Sequence, residues 1–246
     1  MIHGVIFDLG STLLHTEVDG QWDKIIPRMN ADLLVSLKAQ GYTLDGEAFT
    51  RRFADNYLTM DRQRQADWLE STTAQVLTQT LAELGAPIPS PAGQAEALRA
   101  YYAYSESLWR PMPGVYELLS GLRAGGYKLA IISNASDSGN VDRLIDTALL
   151  RGYFNPIIIS SVAGIRKPAP KIFDLVLGPW GLPASECVMV GDTLDADILG
   201  AQLAGLHNVW LTAHADRPSN RARRSQITPE AEIGALADLP PLLAAW

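Results

Sequence analysis

Two aspartates close apolar runs at opposite ends of this chain. Val5-Ile6-Phe7 runs into Asp8 and then turns through Leu9-Gly10-Ser11-Thr12, while Val188-Met189-Val190-Gly191 runs into Asp192, with Asp197 five residues further on. A short apolar strand that stops at an acid is how an open parallel sheet presents chemistry at its carboxyl edge. Two such acids can share a hard divalent cation through oxygen ligands. Lys167, in Gly164-Ile165-Arg166-Lys167-Pro168, adds a candidate compact positive charge, and Ser133-Asn134 ends another apolar run, Leu129-Ala130-Ile131-Ile132. Each has a plainer reading as well: Ser133-Asn134 as a turn, Lys167 as a solvated loop residue, Asp195 and Asp197 as caps of the next helix.

The elements that must position these residues alternate regularly beyond Met112. Pro113 to Gly126 reads as a helix, with Pro in its first turn, apolar Val115, Leu118, Leu119 and Leu122, and Gly125-Gly126 as a stop. Lys128 to Ile132 reads as a strand, Val141 to Leu150 as a helix and Ile157 to Ile159 as a buried strand. Helices at Ile172 to Leu177 and Ile198 to Leu203 bracket the strand at Val188 to Val190, and Asn208 to Leu211 reads as the last strand. This rhythm predicts an α/β, doubly wound parallel sheet covered on both faces. The stretch from His15 to Trp109 breaks it, with helical patterns at Ile25 to Ala39, Gly46 to Tyr57, Gln65 to Leu84 and Gly93 to Trp109 and no strong strand. A wholly helical insert after the first strand is expected to lie as a lid over the sheet edge. The expected division is a core of residues 1–14 and 112–246 with an insert of 15–111, joined by linkers around Leu14 to Asp19 and Trp109 to Pro113.

Composition narrows the classes. With 246 residues, 47% hydrophobic, the chain can bury a sizeable core, and a net charge of −7 makes it a poor candidate for nucleic-acid binding. No apolar run reaches membrane-spanning length, and no basic leader precedes Asp8, so neither a membrane span nor a signal peptide is expected. The single cysteine, Cys187, fits a reducing cytoplasm and reads as buried filler. Arg217, Arg221, Arg223 and Arg224 read as a solvated polar loop. The histidines have no zinc-like spacing, and His15 reads as an exposed residue of a linker.

Asp8 with Thr12, Ser133, Lys167, and Gly191-Asp192 with Asp197, in that order and spacing, resemble the haloacid dehalogenase (HAD) superfamily, whose members are mostly phosphatases. The resemblance spans the core on both sides of the insert and implies that the insert is a helical cap. It implies an aspartate nucleophile at Asp8, which divides phosphoryl transfer into two displacements through an acyl phosphate. A magnesium ion held by Asp8, Asp192 and the backbone carbonyl of Gly10 would offset the charge of the phosphate. Lys167 would face the phosphoryl oxygens and the nucleophile. Ser133, the Asn134 amide and Thr12 would bind the substrate, and Asp197 would orient Lys167 or a metal-bound water. The implied partner is a small phosphorylated molecule.

Position 10 departs from the pattern. Phosphatases of this superfamily usually carry a second aspartate two residues after the nucleophile, which protonates the leaving group and then activates water. Gly10 has no side chain for either task, and losing a general acid–base typically costs about a hundred- to ten-thousandfold in rate. A phosphoric monoester hydrolase is the favoured reading. The alternatives are a phosphonatase-like enzyme using a cap lysine, Lys24 or Lys38, and a non-catalytic relative that binds a phospho-ligand or a protein. Haloacid dehalogenation fits least, because that branch needs no metal and this chain keeps Gly191-Asp192.

Overall fold

The computed structural model describes residues 1–16 and 22–246. The first strand, β1 (Gly4–Phe7), is buried along its whole length. The chain leaves it through a tight turn in which Ser11 adopts φ 60°, a region where glycine is more at ease. It then forms β2 (Leu14–Thr16), four helices, α1 (Trp22–Ala39), α2 (Gly46–Asp67), α3 (Thr73–Glu83) and α4 (Pro91–Glu106), and β3 (Trp109–Pro111). Strands β2 and β3 pair antiparallel, Leu14 opposite Pro111, so the two ends of the helical insert meet in one short ribbon. The expected linkers are therefore largely strand; residues 17–19 of the first lie outside the described residues.

Beyond β3 come α5 (Val115–Ala124), β4 (Lys128–Ser133), α6 (Ser138–Thr147), β5 (Ile157–Ile159), α7 (Ser160–Ala163) and α8 (Lys171–Trp180). The chain finishes with β6 (Cys187–Gly191), α9 (Leu199–Ala204), β7 (His207–Leu211), α10 (Pro218–Arg223), β8 (Ala231–Ile233) and α11 (Leu239–Ala245). The sheet order is β5-β4-β1-β6-β7-β8, every pair parallel. Alternation along the strands sorts the core. Val5, Phe7, Leu129, Ile131, Val188 and Val190 pack with α5, α6 and α11 on one face. Ile6, Ala130, Ile132 and Met189 pack with Ile172, Phe173 and Val176 of α8 and Ala201 of α9 on the other. Both faces are covered, which is the doubly wound α/β architecture the rhythm predicts. Cys187 is fully buried, and burial pushes its thiol up to about 11, so it behaves as an inert small hydrophobe.

The four helices of the insert keep a core of their own, with Leu33, Leu37, Phe49, Phe53, Val76, Leu77 and Tyr101 among its members. Their starts are written locally. Asp45 caps α2 by accepting from the Ala48 N–H, Thr72 and Gln75 form a capping box on α3, and Ser90 caps α4 with Pro91 in its first turn. Three expectations need correction. The helix expected from Gln65 to Leu84 is broken, since α2 takes its first residues and α3 starts only at Thr73. Helix α2 runs on to Asp67 instead of stopping at Tyr57. Its last turns carry Arg62, Gln63, Arg64 and Gln65, which favour helix without an apolar stripe to announce it. Asn208 to Leu211 is not the last strand, since β8 and α11 follow; β8 has only three residues with Glu232 at its centre, too short and polar for a strand pattern. Among the described residues no helix is long and apolar enough to cross a membrane.

Candidate active site

The sheet order puts β1 between β4 and β6, and all three strands end at the same edge. Asp8 follows β1, Ser133 ends β4, and Asp192 follows β6, so residues distant in sequence converge where the strand order reverses. The Asp8 N–H donates to the Val190 carbonyl at 2.9 Å, which ties the turn after β1 to the end of β6. Trp210 Nε1 and Asn220 Nδ2 donate to the Asp192 carbonyl at 2.8 and 2.7 Å and hold the second acid from below.

Lys167 is the centre of the arrangement. Its buried Nζ lies 2.7 Å from Asp8 Oδ1 and 2.7 Å from Asp197 Oδ1, and donates to the Ile132 carbonyl at 2.6 Å. Asn134 fixes the lysine's backbone: its Nδ2 donates to the Lys167 carbonyl and its Oδ1 accepts from the Lys167 N–H, both at 2.8 Å. The Asn134 side chain is thus engaged with the protein. Asp197 Oδ2 accepts from the Thr193 N–H at 2.9 Å, so the bond back to the start of that turn comes from Asp197, and Asp195 lies on the cavity wall. Ser133 also lines the cavity, whereas Thr12 is fully buried and contributes no surface to it.

Asp8, Asp192 and Asp197 each bring a carboxylate oxygen within 4.8 Å of the others. Burial pushes the Asp8 carboxyl up to about 6; Lys167 opposes the rise and Asp197 adds to it. Burial and the neighbouring Asp8 raise Asp192 well above the usual carboxylate range, with Arg217 opposing. Burial disfavours the Lys167 ammonium, but Asp197 and Asp8 outweigh it and the lysine stays charged. Lys167 and Arg217 do not balance three carboxylates, so a negative excess remains, and the donors are all hard oxygens. The acidic cluster fits a magnesium ion, for which Asp8 and Asp192 are candidate ligands and the resemblance adds the Gly10 carbonyl.

Several neighbours escaped the sequence. Arg217 is not merely solvated: its Nη2 pairs with Asp192 Oδ2, and its loop follows β7, the strand beside β6. That adjacency was the available signal. His15 is not a plain exposed residue either, since its ring stacks on His214 with centroids 5.1 Å apart, and His214 lines the cavity. Trp109 covers Gly10: a Cβ built there would lie 3.3 Å from Trp109 Cη2. From the helical insert, the loop after α2 docks on the core, with Glu70 accepting from Ser160 Oγ at 2.6 Å and Arg64 Nη1 at 3.2 Å. Neither Lys24 nor Lys38 is among the described residues lining the cavity.

A six-stranded parallel sheet carrying Asp8, Lys167 and Asp192 at one edge defines a class, and the sequence comparison agrees. Residues 2–205 match the family model of haloacid dehalogenase-like hydrolases, and the chain belongs to that family. It is similar to the pyrimidine 5'-nucleotidase YjjG of Escherichia coli K12, 40% identical over 134 residues, covering 54% of this chain and 56% of that protein. The match thus spans about half the length of that relative. A ribulose-1,5-bisphosphate 5-phosphatase of Halopiger xanaduensis is 32% identical over 214 residues, 85% of this chain and 84% of that protein. Among solved structures, a 2-haloacid dehalogenase from Pseudomonas syringae superposes with a TM-score of 0.68 at 26% identity, covering 100% of both chains.

Proposed function

We propose that this protein is a magnesium-dependent phosphatase of small phosphorylated molecules that works through an aspartyl-phosphate on Asp8. The observation that carries the reading is the placement of one buried ammonium, Lys167 Nζ, 2.7 Å from both Asp8 and Asp197 beside Asp192. Relatives named as phosphatases and a nucleotidase support the substrate class. An Asp8 carboxylate oxygen attacks phosphorus, the bond from phosphorus to the leaving oxygen breaks, and its electron pair departs on that oxygen. Residue 10 offers no proton, so the leaving oxygen takes one from water. Water then attacks the phosphoryl group, the bond to Asp8 breaks, and the carboxylate is restored as inorganic phosphate leaves. Lys167 keeps Asp8 ionised and offsets charge on the phosphoryl oxygens, and Asp197 holds Lys167 in place. A bound magnesium ion supplies electrostatic stabilisation of the phosphoryl charge.

In this reading residues 15–111 act as a cap over a core of 1–14 and 112–246, and the β2–β3 ribbon is the hinge. A separate core within the insert supports this division. Closing the cap would exclude water from the phosphoryl site. The test is release of inorganic phosphate from a panel of aryl, acyl and alkyl phosphates with magnesium present. Turnover that disappears in Asp8→Asn is expected; no release from any member would leave a phospho-ligand-binding protein as the better account.

A further inference from the structure

Gly10 is not an empty position. Its side-chain space is taken by the edge of an indole, with Trp109 Cη2 at 3.3 Å and Cζ3 at 3.7 Å from a Cβ built on the glycine. In the proposed reaction, the position two residues after Asp8 is the one from which a general acid would protonate the leaving group. The ring of Trp22 stands 6.3 Å from that of Trp109 at an interplanar angle of 41°, and both border the same cavity of about 1080 Å³ as Asp8 and Lys167. Trp109 packs in part against the core of the sheet, but core packing does not account for the rest of this wall. Trp22 remains 36% exposed, and Trp68, further along the same cavity, is 37% exposed.

The chemistry of the missing acid points the same way. An unassisted leaving oxygen departs faster the weaker a base it is, and phenol-type hydroxyls ionise near pH 10, far below water at about 15.7. A phosphate on an aromatic hydroxyl is the class that both tolerates the glycine and offers a flat face to the indoles. Resting on the phosphatase reading, we propose that Trp109, set against Gly10 beside Asp8, and Trp22 form a stacking wall that selects aryl phosphate monoesters as substrates.

The test measures binding, so that it does not depend on turnover. Phenylphosphonate, methylphosphonate and 3-phenylpropylphosphonate are titrated into the full-length protein with magnesium, by calorimetry. Phenylphosphonate should bind about tenfold more tightly than methylphosphonate. Trp109→Ala should bring that ratio close to one, and Trp109→Phe should keep most of it. Should Trp109→Ala fail to fold by circular dichroism, Trp22→Ala, at an exposed position, must lower the ratio. Equal affinities in the wild type, or a ratio unmoved by both alanine variants, would overturn the stacking wall. Tighter binding of the 3-phenylpropyl compound would place the ring away from phosphorus and overturn the aryl assignment. Methylphosphonate binding without a ring preference would sink this inference alone. If neither methyl- nor phenylphosphonate binds and no phosphate ester is hydrolysed, the phosphatase reading falls with it.

Discussion

At the scale of single residues, Gly10 and Trp109 have to be considered together. A carboxylate at position 10 would normally supply the general acid, but here it would have to share space with the indole. Gly10→Asp alone should therefore gain little on alkyl phosphates. Combined with Trp109→Ala, it should raise alkyl-phosphate turnover by about a hundredfold if the new carboxylate reaches the leaving oxygen. Steady-state kinetics on an alkyl phosphate decide this; a full gain from Gly10→Asp alone would show that Trp109 is no obstacle. Asp8 gives a pH prediction. Its folded value of about 6 against an ordinary 3.8 means the folded chain holds that proton more tightly than the unfolded chain does. By linkage, this favours folding below about pH 3.8 and is lost as pH rises through about 6. Thermal melts in chelator should show a decline across that window, to which the similarly raised Asp192 adds, and Asp8→Asn should shrink it; magnesium should restore more stability above the window than below. The sequence made Asp8, Lys167 and Asp192 legible because each sits at a strand end or a spaced motif. Arg217 and Trp109 were not, because their roles arise from contacts between segments far apart in the chain.

At the scale of elements, the loop between α2 and α3 carries one set of contacts between the helical insert and the core, reaching the loops after β4 and α7. The Glu70 N–H donates to the Gly164 carbonyl and the Arg166 N–H to the Trp68 carbonyl, both at 3.0 Å, while Thr73 N–H reaches the Ser136 carbonyl at 2.9 Å. The Glu70 side chain, 1% exposed, neutralises Arg64, 4% exposed. Glu70→Ala would strand a buried guanidinium, at a cost of about 3–5 kcal/mol. Urea denaturation should show that loss; a change below about 1 kcal/mol would mean that water or Asp61 takes over the pairing. Helices with an apolar stripe were readable, although the capping box that starts α3 was passed over by the helix expected from Gln65. The end of α2 was not, since its polar last turns lack that stripe. Three-residue strands such as β2, β3 and β8 carry too little pattern, and they form because partner strands present matching edges.

At the scale of the whole molecule, the alternation of strand and helix beyond Met112 was enough to anticipate the doubly wound sheet and the carboxyl edge where the acids meet. The helical insert was legible as a break in that rhythm. How it seats on the core was not, because that depends on Glu70, Arg143 and Glu106 meeting partners across the interface: Arg143 Nη2 lies 2.7 Å from Glu106 Oε1. The cap reading predicts that magnesium together with a phosphate analogue slows amide exchange in the β2–β3 ribbon and the loop after α2. Unchanged exchange at both would argue against closure. The central claim is that Asp8 carries the phosphoryl group. With no side chain at Gly10 to activate water, the phosphorylated enzyme should accumulate during turnover. Rapid mixing with an aryl phosphate and magnesium, acid quench and peptide mass spectrometry should find one phosphoryl group on the peptide containing Asp8, and none in Asp8→Asn. Turnover that survives in Asp8→Asn, or a phosphoryl group on any other peptide, would contradict the account.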